Sequence, residues 1–163
     1  MFMQNLLSKK EINQFKKDGA ILIQGKFDLD WIEKLKTGID KDIKNPSPRF
    51  VNHTKNKNSP GYYEDFWTWN LYEEFTDFVF NSPTSKMASE LLGASRINLV
   101  MDNWFYREAC SKSSAPFHHD ITYFDFEGSM CVLWLPLEPV SKEEGIAWIK
   151  GSHLWNKLFV RTR

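Results

Sequence analysis

With 163 residues, 42% of them hydrophobic and 26% charged, the chain has the size and balance of one soluble globular domain, too apolar for disorder. Its 21 basic residues are matched by 21 acidic ones, so no global field draws it to nucleic acid or to an anionic membrane. No stretch approaches the roughly 20 apolar residues of a membrane span.

Met1 to Ser8 run directly into Lys9 and Lys10 without the apolar centre of a secretory signal, which favours a cytoplasmic protein. Ser8 and Glu11 then form an S-x-x-E capping box, and Ile12 and Phe15 open the apolar face of a first helix that Asp18-Gly19 ends. Ala20 to Gln24 is short, apolar and β-branched and reads as a buried strand closed by Gly25. Asp28 or Asp30 caps a second helix, with Trp31, Ile32, Leu35, Ile39 and Ile43 at helical spacing.

Between Asn45 and Gly61 the composition turns to Pro, Ser, Asn and Lys, with Pro46, Pro48 and Pro60 opposing regular structure, and predicts a long loop. From Ile43 to Tyr63 this region carries Lys44, Arg49, Lys55 and Lys57 and no acidic side chain. It reads either as a lid for an anionic ligand or as a solvated loop, with His53 exposed to water. The aromatics that follow include Trp67, Trp69 and Tyr72, candidates for a pocket lining or for core. Leu71, Tyr72, Phe75, Phe78 and Val79 fall at helical intervals. Ser82-Pro83 starts a further helix that ends at Gly93.

After Gly93 the pattern changes. Ile97–Tyr106, Phe117–Phe126, Met130–Leu137 and Ile146–Lys150 all read as strands, giving helices first and strands afterwards, an α+β arrangement in a single domain over 1–163. Cys110 and Cys131 lie in apolar, strand-like surroundings, lack the short spacing of a zinc or redox motif, and read as buried reduced thiols.

The segment that carries chemistry is Pro116-Phe117-His118-His119-Asp120-Ile121-Thr122-Tyr123. On a strand, residues i and i+2 share a face, so His118 and Asp120 would project together while His119 points away to pack or hydrogen-bond. One imidazole and one carboxylate are two corners of the 2-His-1-carboxylate arrangement that leaves open positions on non-haem Fe(II). An H-x-D triplet alone also arises by chance at a polar strand edge.

Its surroundings add specificity. Downstream come Cys131-Val-Leu-Trp-Leu-Pro-Leu-Glu-Pro-Val-Ser-Lys-Glu-Glu-Gly145 and then Ile146-Ala-Trp-Ile-Lys-Gly-Ser-His153. This order of H-x-D segment, Trp-containing apolar segment, Glu-Gly turn and Gly-Ser-His motif resembles the phytanoyl-CoA dioxygenase family. The opening Leu7-Ser-Lys-Lys-Glu-Ile12, Phe15, Asp18-Gly-Ala20 and the helix from Trp31 are similar to that family as well.

The resemblance implies a double-stranded β-helix, a cupin-like jelly roll buttressed by N-terminal helices, of which this chain would hold the N-terminal two-thirds. It implies an Fe(II)- and 2-oxoglutarate-dependent dioxygenase with His118 and Asp120 as ligands, succinate as coproduct, ascorbate as a helpful reductant and a small organic molecule or acyl conjugate as substrate. The family's third ligand, a histidine on a late strand followed by an arginine for the oxo acid, would lie beyond Arg163, since Arg161 and Arg163 follow His153 too closely for that part. His153 is a substitute third ligand or, in the usual family pattern, part of a structural turn. Asn103, Tyr106 and Trp134 are candidate pocket residues. Asp120 argues against the related halogenases, which carry a small residue there. The competing class is a non-catalytic β-helix protein that binds a small ligand, or an inactive truncated fragment.

Overall fold

The computed structural model describes residues 5–54, 56, 58–111 and 115–159. Lys55, Lys57, Arg161 and Arg163 lie outside the described residues. The described residues contain four α-helices and a small antiparallel sheet, an α+β composition, and the chain falls into two units that are each discontinuous in sequence. No helix among the described residues is long and apolar enough to cross a membrane.

The first unit holds residues 1–26, 83–97 and 116–163. Helix α1 (Lys9–Asp18) begins with the predicted capping box, in which Ser8 Oγ accepts from the Glu11 amide and the Glu11 carboxylate accepts from the Ser8 amide. Helix α2 (Thr84–Leu92) packs near it, and its Glu90 carboxylate accepts the Leu6 and Leu7 amides at 2.9 and 2.8 Å. Leu7, Met87 and Leu91 are buried around this contact.

Helix α1 ends at Gly19 in the left-handed conformation, φ 83°, and the distant Lys150-Gly-Ser-His153 segment closes on that end. The Gly151 amide donates to the Asp18 carbonyl at 2.8 Å, His153 Nε2 donates to the Lys16 carbonyl at 3.0 Å, and Lys150 Nζ pairs with Asp18 Oδ2 at 3.0 Å. Three of the helix's last polar groups thus find partners, and the Lys150 contact holds the Asp18 carboxyl below its ordinary pKa. A Cβ on Gly19 would lie 2.4 Å from His153 Nδ1. Gly19→Ala combines that clash with a left-handed backbone that costs an alanine about 1–2 kcal/mol. The variant is expected to lose at least that much stability in urea denaturation, and an unchanged midpoint would contradict the closure.

The second unit holds residues 27–82 and 98–115. Helix α3 (Leu29–Lys44) is capped by Asp28, whose Oδ1 accepts the Trp31 amide at 3.2 Å, which decides between the two candidate caps. It lies against helix α4 (Glu73–Asn81), where Gly38 admits Phe75 so closely that a Cβ would stand 2.6 Å from the ring. Lys34 with Asp77 and Lys41 with Glu74 bridge the two helices, and Phe78 stacks on Phe27 and meets Trp31 edge-on.

The sheet has the order β1 (Val51–Asn52), β2 (Tyr62–Phe66), β3 (Asn103–Arg107). Tyr63 faces Tyr106 with rings 6.1 Å apart and nearly parallel, and Trp104 is the sheet's buried aromatic. Beneath it are carboxylates with no solvent exposure. Asp42 Oδ2 accepts Trp104 Nε1 at 2.8 Å, while Asp65 accepts Ser47 Oγ, the Ser47 amide and the Phe66 amide. The predicted loop is therefore tied down: Arg49 donates to the Phe66 and Trp67 carbonyls, and His53, exposed as expected, pairs with Glu64 at 2.6 Å. Trp67 lies against Arg49, Trp69 against Phe80, and Tyr72 donates to the Asn45 carbonyl.

Burial pushes the Asp42 carboxyl above the ordinary carboxylate range; the Trp104 bond opposes this and nearby Asp65 adds to it. A raised folded-state pKa means that folding favours the protonated acid. The associated stability is full below the ordinary pKa of about 4 and is lost as pH rises through the raised value. Asp42→Asn keeps an acceptor for Trp104 without the charge. Its urea-denaturation stability should gain on the parent's as pH increases from 4 to 8; a constant difference across that range would contradict the assignment.

The α+β class agrees with the sequence reading, but several predicted strands do not form. Ala20–Gln24, Phe117–Phe126, Met130–Leu137 and Ile146–Lys150 contain no strand, and of Ile97–Tyr106 only the part from Asn103 pairs. A complete double-stranded β-helix is thus not formed by the described residues. The physical reason is that a strand is made by a partner: Val132, Ile146 and Ile149, apolar enough for a sheet interior, remain exposed with no neighbouring strand. Cys110 is exposed, contrary to expectation, and Cys131 is half-buried with its thiol pKa pushed up by burial.

Candidate metal centre

The candidate ligands belong to the first unit. Residues 116–119 belong to no helix or strand, His119 has extended backbone, and Asp120–Tyr123 forms one 3₁₀ turn. The Thr122 amide and hydroxyl both donate to the His119 carbonyl, at 3.1 and 2.7 Å, and the Phe124 amide donates to that of Ile121 at 3.2 Å. Short polar side chains that bond locally to the backbone favour such a turn over a strand.

Strand alternation is therefore not what brings His118 and Asp120 together. The bend from extended chain into the turn does so, placing His118 Nε2 3.1 Å from Asp120 Oδ1. His118 Nδ1 lies 2.8 Å from the Pro116 carbonyl. A carbonyl only accepts, so Nδ1 carries the proton, and in the neutral ring Nε2 keeps its lone pair on the Asp120 side. Fixing a ligand histidine's tautomer by a backbone acceptor is a common device of metal sites. Tyr123 meets the His118 ring edge-on at 5.9 Å.

The pair fits a divalent first-row ion. Two donors each about 2.1 Å from one ion and at right angles stand about 3 Å apart, close to the separation seen. Both side chains are a little under half exposed, 45% and 46%, so the donors are open to a further ligand.

Among the described residues no group of three or more His, Cys, Asp or Glu side chains is placed to hold a metal. His153, the substitute third ligand, is engaged with the Lys16 carbonyl and packs on Gly19, in keeping with a structural turn. His119 meets Phe159 edge-on at 6.1 Å. Of the pocket candidates, Trp134 is exposed in the first unit, outside any helix or strand. Asn103 and Tyr106 belong to the second unit. Three positions apart on β3, they point to opposite faces, so the strand does not offer both to one pocket. The Pro116 carbonyl is the contributor that the sequence reading missed. Its only local signal is the proline two residues before the histidine.

A histidine and a carboxylate thus lie side by side and partly exposed on an α+β scaffold, with the imidazole tautomer set by the backbone. The phytanoyl-CoA dioxygenase (PhyH) family profile matches residues 15–163, and the chain belongs to that family, whose members are generally Fe(II)- and 2-oxoglutarate-dependent oxygenases. No curated protein and no solved structure matches the chain.

Proposed function

We propose that this chain is part of a single-domain Fe(II)- and 2-oxoglutarate-dependent dioxygenase, acting on a small organic molecule or acyl conjugate and built on the family's double-stranded β-helix. The observation that carries the reading is the His118–Asp120 pair, whose separation and fixed tautomer suit two neighbouring positions on one ion. Membership of the family over residues 15–163 supports the iron and the oxo acid.

His118 would donate Nε2 and Asp120 Oδ1. Pro116 keeps the imidazole proton on Nδ1, and Thr122 holds the turn that presents the carboxylate. When bound, Fe(II) supplies the redox chemistry that couples decarboxylation of 2-oxoglutarate to succinate with hydroxylation of the substrate. Everything else at the site is positioning.

Succinate release, measured with and without Fe(II), 2-oxoglutarate and ascorbate, tests the class. Turnover that requires both iron and the oxo acid supports the oxygenase. Saturable binding of 2-oxoglutarate with no succinate formed would replace it by the ligand-binding protein.

A further inference from the structure

The 3₁₀ turn that presents Asp120 is four residues long, an element with little stability of its own. Both ligand side chains are about half exposed, so core packing does not fix them. We infer that Trp155 and Phe159 act through His119 as positioning residues for the His118–Asp120 pair; the inference rests on the metal reading above.

The route runs through space and lies within the first unit. Helix α1 is the rigid end. The Gly151 amide and His153 Nε2 bond to its last carbonyls at 2.8 and 3.0 Å, which fixes the 3₁₀ turn Ser152–Leu154. Trp155 closes that turn, its amide donating to the Ser152 carbonyl at 3.1 Å. Asn156 then takes a left-handed backbone, φ 49°, a conformation asparagine tolerates, and bends the chain so that Phe159 returns edge-on to Trp155 at 5.9 Å. Phe159 in turn meets the His119 ring at 6.1 Å and 68°.

His119 Nδ1 is buried and has no hydrogen-bond partner among the described residues, which leaves the Phe159 ring contact to orient the imidazole. Because His119 stands between the two ligands, the direction of its ring sets the backbone from which both project. Residues 124–150 contain no helix or strand that could transmit the position along the chain.

Co(II) affinity, measured by calorimetry on the full chain below its melting temperature, reads the relay without depending on turnover. Trp155 and Phe159 are 46% and 47% exposed, so truncating them should leave the chain folded. Phe159→Ala and Trp155→Ala are each expected to weaken Co(II) binding about tenfold, the lower end of the cost of an outer-shell loss. Phe159→Leu, which keeps apolar bulk but lacks the ring, should behave like Phe159→Ala, and Phe159→Tyr should keep parental affinity.

Residues acting in series are not additive, so the double variant should bind no worse than Phe159→Ala. Leu158→Ala, at the exposed neighbouring position, should bind as the parent does. Unchanged affinity in Phe159→Ala and Trp155→Ala, or fully additive losses, would overturn the relay while leaving the metal reading intact, provided His118→Ala has lost binding. A parent protein that binds no Co(II) would overturn both.

Discussion

Trp104→Ala is expected to unfold the second unit. The indole is 7% exposed, pairs with Phe50 at 6.1 Å, and donates Nε1 to the fully buried Asp42 carboxylate. Truncating a buried Trp to Ala costs about 3–5 kcal/mol through lost transfer energy and the cavity left behind. Leaving a buried acceptor unpaired adds about 1–3 kcal/mol. Among the described residues Asp42 Oδ1 has no hydrogen-bond partner within contact geometry, and the variant also removes the indole's bond to Oδ2. Against the usual total of about 5–15 kcal/mol, that is most of the available stability. Trp104→Phe separates the two parts, since it retains ring volume and loses only the bond. Urea denaturation followed by circular dichroism should rank the parent above Trp104→Phe and Trp104→Ala far below both. A Trp104→Ala midpoint close to the parent's would mean that the sheet does not depend on this contact.

The second large effect belongs to Asp120→Ala. Losing even an outer-shell partner costs a metal site about 10- to 100-fold in affinity, and removing one of two identified ligands should cost more. Iron-dependent succinate formation is therefore expected to fall by at least about 100-fold at limiting iron. The 3₁₀ turn should survive, because its hydrogen bonds run through Thr122, His119, Ile121 and Phe124 and do not use the Asp120 carboxylate. Unaltered melting together with lost turnover is the predicted signature. Turnover within a few-fold of the parent's would remove Asp120 from the site.

What could be read from the residues follows the range over which each signal acts. Ser8 with Glu11, Asp28, and the glycines 19 and 93 mark helix ends through bonds spanning three or four positions, and all four appear where the local chemistry puts them. Strands failed more often. Tyr62–Phe66 becomes β2 because Asn103–Arg107, some forty residues on, pairs with it, and no local pattern encodes that partner. Val132 and Ile146 have strand composition but remain exposed outside any sheet.

The site divides in the same way. His118 and Asp120 were identified by residue type and spacing, yet their convergence comes from a turn where a strand was expected. The contacts of Pro116 with His118 and of Phe159 with His119 are matters of geometry that the motif does not carry.

Whether His118 and Asp120 hold Fe(II) is read from iron content after anaerobic loading and removal of free metal, compared between the parent chain and Asp120→Ala. About one iron per parent chain and a large loss in the variant are expected if the pair is the iron site. Equal, stoichiometric iron in both proteins would contradict it.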